Sequence, residues 1–326
     1  MASVYPPVTR GESLNVLSWV LLSVTILTQI TRWATKYFIV RKFFHDWDDL
    51  VAFLALIFSA ALTIAISLQT ANGLGSHFGD LTRSEQVGWQ KAAYASNILF
   101  IATLWAGKSA TVFHMQQINP FTWRFYSSVG VNVFVGLWAF TALLASCLQC
   151  PSPRWQSVER QNCVNRTALY TYIDASNLVT EALILLLPLI VLSDIKITLQ
   201  RKLAILSCFM LRIFVIIGIV VQIVYSAKGV YTSSDPTYDS WKRTICLQIV
   251  QNFCVISGSV PYLKPFYMGL QSGLIRSDDM RRTGLTTAEY TQMSAEGRVS
   301  SKNDNGQIVS THASERANAS GASSTR

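Results

Sequence analysis

The chain has 326 residues, half of them hydrophobic and only 14% charged, against roughly 25% charged in an ordinary soluble domain. That excludes a long disordered protein and argues against a soluble enzyme, which at this length would spread charge over two domain surfaces. The charge is also segregated: residues 270–326 hold 13 of the 45 charged side chains. The basic residues behind the net +9 punctuate apolar runs instead of forming one patch, which fits loops at membrane ends and not a nucleic-acid interface.

Roughly 20 mostly apolar residues cover a bilayer as a helix, and runs of that kind recur seven times. In chain order they are Ser13–Thr31, Leu50–Thr70, Ala92–Met115, Phe125–Cys147, Ala168–Leu192, Leu203–Ala227 and Thr244–Tyr262. They lack two-residue alternation and are too long for barrel strands. The first run lacks a small-x-small cleavage site before Arg32 and is read as a retained helix, not a secretory signal. From residue 270 onward the composition is polar, rich in Ser, Thr, Gly and Asn, with no apolar periodicity. The sequence therefore predicts an all-α polytopic membrane protein. It has a short N-terminal segment (1–12), a seven-transmembrane-helix bundle (13–269) and a disordered tail (270–326) that could meet a cytoplasmic protein partner.

With the N-terminus outside, eleven lysines and arginines fall in inner loops and nine in outer ones, by count along the sequence. Cys147, Cys150 and Cys163 lie in or beside the loop between the fourth and fifth runs. Disulfides belong to lumenal or extracellular compartments, so these cysteines also favour N-out, C-in. Because Cys147 should still lie within the fourth helix, the expected pair is Cys150–Cys163; three free thiols are the alternative. A zinc site is not expected there, since the loop has no histidine and no fourth ligand. Cys208, Cys246 and Cys254 read as packing residues in helices. Asn165-Arg166-Thr167 on the same loop is an acceptor sequence for glycosylation, set almost against the fifth helix.

Charges inside apolar runs cost about 2.5–3.5 kcal/mol at mid-bilayer, so they are paired or functional. Tyr170, Asp174, Asn177 and Glu181 recur at spacings of four, three and four, which makes one stripe on the fifth helix. Asp174 and Glu181 are then roughly 10 Å apart along the axis at 1.5 Å per residue, too far to share a proton. The stripe is either a hydrogen-bond network between helices or a ligand or catalytic wall. Lys108 in the third run and Arg212 in the sixth come to similar depth as Glu181, so the three should converge in a buried cluster with one surplus positive charge. His77 is either a proton carrier or metal ligand on the outer face, or part of a turn shaped by Gly73 and Gly75. Asp48 and Asp49 could bind a cation or act as an acid pair, but are read first as marking the cytoplasmic end of the second helix, where acids favour the N-terminal dipole. Gln248, Gln251 and Asn252 give the seventh helix its own polar face.

As a set, several motifs resemble the fungal rhodopsin-like domain family of seven-helix membrane proteins. They are Asp48-Asp49, Asn72-Gly73-Leu74-Gly75-Ser76-His77, Lys108-Ser109, Cys150-Pro151 with Trp155 and Cys163, and Asn177-Leu178-Val179-Thr180-Glu181 running to Pro188. Gln200-Arg201-Lys202-Leu203 and Pro261-Tyr262-Leu263-Lys264-Pro265 complete it. The resemblance covers roughly residues 16–269. The chain departs from the family pattern at Glu181, where Asp is usual, at Ile190, where a proline often recurs, and in lacking an arginine near the end of the sixth helix.

The family name does not imply retinal here, because the seventh run has no lysine for a Schiff base; no cofactor is expected. What the resemblance implies is an accessory, sensing or transport factor linked to fungal secondary-metabolite (mycotoxin) biosynthesis, or a receptor-like surface sensor. The residues leave open an intramembrane cyclase or isomerase in which Asp174 or Glu181 protonates a hydrophobic intermediate. Expected partners are the lipid bilayer and a small hydrophobic or anionic ligand, and no nucleic acid.

Overall fold

The structure is a computed structural model. It describes residues 10–40, 47–118, 122–151, 154–156, 163–193, 210–228, 235–283, 300–302 and 308–310. Among the described residues seven α-helices follow one another: α1 (Arg10–Thr35), α2 (Trp47–Ala71), α3 (Arg83–Ile118), α4 (Thr122–Cys147), α5 (Arg166–Ser193), α6 (Leu211–Ala227) and α7 (Pro236–Thr283). A π-helical turn, Lys36–Val40, prolongs α1, and a single 3₁₀ turn, Phe78–Asp80, lies between α2 and α3.

The chain divides into two units, Met1–Lys264 and Pro265–Arg326. The first is the helical bundle. The second contains the last part of α7 and a two-stranded antiparallel ladder, β1 (Ser300–Lys302) with β2 (Ile308–Ser310). Helix α7 thus begins eight residues before the apolar run and ends beyond it, and it occupies the start of the segment read from composition as a disordered tail. Apolarity measures what can sit in lipid, whereas backbone hydrogen bonding continues through polar residues until something stops it.

Among the described residues five helices are long and apolar enough to cross a membrane: α1, α2, α3, α4 and the first part of α7. The described part of α6 has 17 residues. α5 and α6 pack along each other from the middle of the bundle to its disulfide end. α5 starts beside Cys163, and the last turn of α6 returns to meet its upper half through Ser226 and Asp174. The start expected for α6 at Leu203, and Cys208 with it, lie outside the described residues.

Helices α3 and α7 are the innermost. Phe100 and Leu104 of α3 pack with Ile173 of α5, Val215 and Ile219 of α6, and Val250 and Cys254 of α7. Large apolar side chains on α1, α4 and α6, among them Val20, Leu27, Leu137, Phe140, Phe214 and Ile217, point outward and are exposed. An apolar exterior of this extent suits lipid and not water.

Local chemistry sets the helix ends. Gly73 closes α2 with a positive φ of 89°, and the amides of Gly73 and Leu74 donate back to Thr70 O and Gln69 O, a glycine C-terminal cap. The turn then docks on the first residues of α7: Gly75 N–H donates to Thr237 O at 3.1 Å and the Thr237 hydroxyl to Ser76 O at 2.9 Å. Asn165 caps α5, its side-chain oxygen accepting from the Ala168 amide at 3.2 Å. Cys150 and Cys163 are joined in a disulfide, and Val164 N–H donates to Gln149 O across its base at 2.9 Å. The bundle therefore has a disulfide end and, where α2 begins, an aspartate end.

Candidate functional site

Three layers of buried polar side chains occupy the bundle. In the middle layer, Lys108, Glu181 and Arg212 are all fully buried. Arg212 Nη1 donates to Glu181 Oε1, and Lys108 Nζ stands 3.4 Å from Glu181 Oε2. Lys108 also donates to the Asn177 carbonyl at 3.1 Å and to the Asn177 side chain and the Thr180 hydroxyl, with its ammonium 4.9 Å from the centre of the Trp138 ring. The second guanidinium nitrogen of Arg212 donates to Thr111 Oγ1. The three charges converge as expected, with two cations on one carboxylate. A close approach of α3 and α7 makes room for this: a Cβ on Gly258 would lie 2.8 Å from Thr111 Oγ1.

At the aspartate end, Asp48 and Asp49 stand in the first turn of α2, where acids favour the helix dipole, and they have a second role as well. Both are buried in an ion-pair cluster with Arg32 and Lys36. Arg32 meets Asp48 at 2.7 Å, and Lys36 meets Asp48 at 3.0 Å and Asp49 at 2.7 Å. The Tyr262 hydroxyl donates to Asp48 at 2.6 Å and Gln117 Nε2 at 3.0 Å, so α1, α2, α3 and α7 share one knot. Two acids facing two cations satisfy the low-dielectric requirement that buried charges be paired. The signal available in the sequence was Arg32 and Lys36, one helical turn apart, just where the first apolar run ends.

Nearer the disulfide end, Asp174 accepts from Gln222 at 2.9 Å and from Ser226 at 3.1 Å, and it lies 3.6 Å from Arg243. Arg243 also donates to Ser226 at 3.2 Å and to Asn97 at 3.4 Å, and its guanidinium lies 4.9 Å from the Tyr170 ring centre. Tyr170 in turn donates to Gln149 at 3.1 Å. All four stripe residues of α5 are buried as one polar wall, but they serve two clusters, Asp174 with Tyr170 above and Glu181 with Asn177 below. Above Asp174 opens a small pocket, part of it open to the exterior, between α2, α3, α5 and α7. Trp89, Gln90, Tyr94, Arg166, Tyr170 and Arg243 are in its wall. Arg243 escaped the sequence reading because it precedes the apolar run and looks like a loop cation.

A family profile, the fungal rhodopsin domain, matches residues 31–268, nearly three quarters of the chain and all three polar layers. This chain belongs to the fungal rhodopsin domain family. Among curated proteins, a SAT4 family membrane protein of Emericella nidulans is 25% identical over 202 residues, covering 60% of this chain and 50% of that protein. The chain thus spans about half the length of the curated relative it matches. No solved structure matches it.

Two further expected site residues of this fungal rhodopsin-domain chain, His77 and Asn165, are peripheral. His77 is exposed, 3.3 Å from Asp235 and stacked on Tyr238 with ring centres 4.5 Å apart, in the turn that docks on α7. Asn165 is exposed but uses its side-chain oxygen as the α5 cap. Gln248, Gln251 and Asn252 bond among themselves, and Asn252 accepts from the Thr25 hydroxyl at 2.7 Å. Among the described residues, no group of three metal-ligating side chains could hold a metal ion.

Proposed function

We propose that this chain is a non-enzymatic membrane sensor of a small molecule in fungal secondary metabolism, its ligand entering at the disulfide end. In this reading the disulfide end faces the outside or the lumen and the aspartate end faces the cytoplasm. What carries it is how the carboxylates of α5 are used. Glu181 is held by two cations, and Asp174 by two neutral donors and Arg243. An intramembrane acid catalyst needs a carboxyl group free to give its proton to substrate, and both of these are engaged in tying helices together.

The pocket, in contrast, sits directly on helices that carry all three charge clusters. A ligand that shifts Arg243 alters the Asp174 pairing between α5 and α6, and the same two helices hold Glu181 and Arg212 below. That is the physical content of coupling: one packed element with contacts at both ends. The expected link to secondary metabolism follows from the family resemblance.

Deletion of the gene with untargeted metabolite profiling tests this. The expected result is a coordinated fall in a group of secondary metabolites and their transcripts with no single precursor accumulating. Accumulation of one precursor that membranes containing only this protein then convert would overturn it in favour of an enzyme.

A further inference from the structure

The Cys150–Cys163 disulfide has a third cysteine close by. Among the described residues Cys147, the last residue of α4, is a half-buried free thiol. The Leu148 amide still donates to Leu144 O at 2.9 Å, and the chain then bends at Gln149 and Cys150. Cys147 and Cys150 therefore bracket a two-residue turn. The ends of such a turn lie within about 7 Å, Cα to Cα, and a disulfide spans roughly 4.4–6.8 Å. Bonding Cys147 to Cys150 asks for a change in that turn alone.

The Cys147 thiol is turned towards the protein. Tyr94 of α3 donates to the Cys147 carbonyl at 3.3 Å, and its hydroxyl also stands against the Cys147 thiol. The same hydroxyl is near the guanidinium of Arg154, which belongs to the loop that the disulfide closes. A thiol facing lipid would meet no other sulfur. This one stands beside the loop.

We propose that Cys147, Cys150 and Cys163 form a thiol–disulfide switch with two pairings. The Cys147 thiolate attacks Cys150 Sγ. The Cys147–Cys150 bond forms, the Cys150–Cys163 bond breaks, and Cys163 leaves as a thiolate that takes up the proton Cys147 gave to solvent. One disulfide and one thiol stand on each side of this exchange, so it consumes no oxidant or reductant. Gln149 lies inside the new ring. Its carbonyl accepts from Val164 N–H, its side chain accepts from Tyr170, and it lines the pocket. The exchange thus unties the start of α5 from the end of α4 and re-aims a residue of the pocket wall. That consequence deepens the sensor reading and rests on it; the exchange itself does not.

The test uses the full chain in lipid nanodiscs, held at about pH 8 to populate thiolate, then treated with excess N-ethylmaleimide and digested with trypsin without reduction. By sequence, residues 125–154 make one peptide with Cys147 and Cys150, and residues 161–166 another with Cys163. The expected products include the first peptide with an internal disulfide and no label, and the second peptide labelled. Cys147→Ser, which keeps the Cys150–Cys163 bond, should lower the labelling of Cys163 about tenfold or more. In Cys163→Ser, the Cys147–Cys150 bond should form on treatment with diamide, a disulfide-forming oxidant. That oxidised form should exchange the Val164 amide hydrogen faster than its dithiol form.

Label on Cys147 alone with Cys150 still joined to Cys163, labelling of Cys163 that survives Cys147→Ser, or no Cys147–Cys150 bond in oxidised Cys163→Ser would each overturn the proposal. Unchanged exchange at Val164 would uphold the two pairings and remove their hold on the pocket. The peptide map reads the chemistry alone. A metabolite profile that refutes the sensor therefore leaves the switch standing, and a failed exchange leaves the sensor reading as it was.

Discussion

Arg32 and Asp48, sixteen residues apart on consecutive helices, meet at 2.7 Å with both side chains almost wholly shielded from solvent. The guanidinium also reaches the Gly258 carbonyl at 3.4 Å and lies 4.4 Å from the Tyr262 ring centre. One ion pair therefore links the first, second and seventh helices. It makes the aspartate end a closed structure that depends on charge balance.

Removing both partners of one pair in that knot should cost less than the two single removals added together. Asp48→Asn leaves Arg32 and Lys36 facing the single carboxylate of Asp49, and breaking a buried pair in this way typically costs about 3–5 kcal/mol. Thermal melting in nanodiscs should show a large drop for Asp48→Asn and for Arg32→Met alone, and a smaller one for the double variant than the two single drops would sum to. A drop for the double variant equal to the sum of the singles would show that the residues act independently.

The middle cluster should behave as a coupled unit. Glu181→Gln removes the only carboxylate that faces Lys108 and Arg212 among the described residues, so two buried cations lose their counter-charge. A double-mutant cycle between Glu181→Gln and Arg212→Gln should give a coupling of about 1–3 kcal/mol, the range for residues in one network. Additive singles would mean that Arg212 gains its stability elsewhere, from Thr111 alone.

Gly258 is a sharper steric test. Its missing Cβ would sit 2.8 Å from Thr111 Oγ1, a hydroxyl already fixed by Arg212 and by the Gly107 carbonyl at 3.0 Å. The neighbour cannot move without breaking the charge cluster, so Gly258→Ala should destabilise by about 1–3 kcal/mol through overpacking. The control is Gly136→Ala, where nothing stands within 4 Å of the added carbon; there the helix-propensity gain should leave melting unchanged or slightly raised.

Loss of the disulfide should be felt at the pocket before the membrane core. Cys150 and Cys163 are separated by 13 positions, for which the chain-entropy account gives roughly 3 kcal/mol. Gln149, next to Cys150, accepts from Tyr170 in the pocket wall. Cys150→Ser with Cys163→Ser should therefore lower the melting midpoint and weaken ligand binding, while labelling of buried Cys254 by a thiol reagent stays slow. Rapid labelling of Cys254 would mean that the whole bundle loosens.

The sequence by itself determined that seven helices form and that the fifth carries a buried polar stripe. Both follow from local periodicity: a run of about 20 apolar residues leaves the backbone no partner but itself in lipid, and spacings of three and four place side chains on one face. It also brought Glu181, Lys108 and Arg212 together, because depth along a helix can be counted in residues and a charge at mid-bilayer needs a partner at that depth. Composition could not find the helical turns beyond the apolar runs, so Arg243 and the long seventh helix looked like loop and tail. Only the tertiary structure decided that Asp48 and Asp49 pair with Arg32 and Lys36 and that Asp174 and Glu181 belong to different clusters. Those facts depend on which helix stands beside which and how each is rotated about its axis, and neighbours across a bundle leave no periodic trace along the chain.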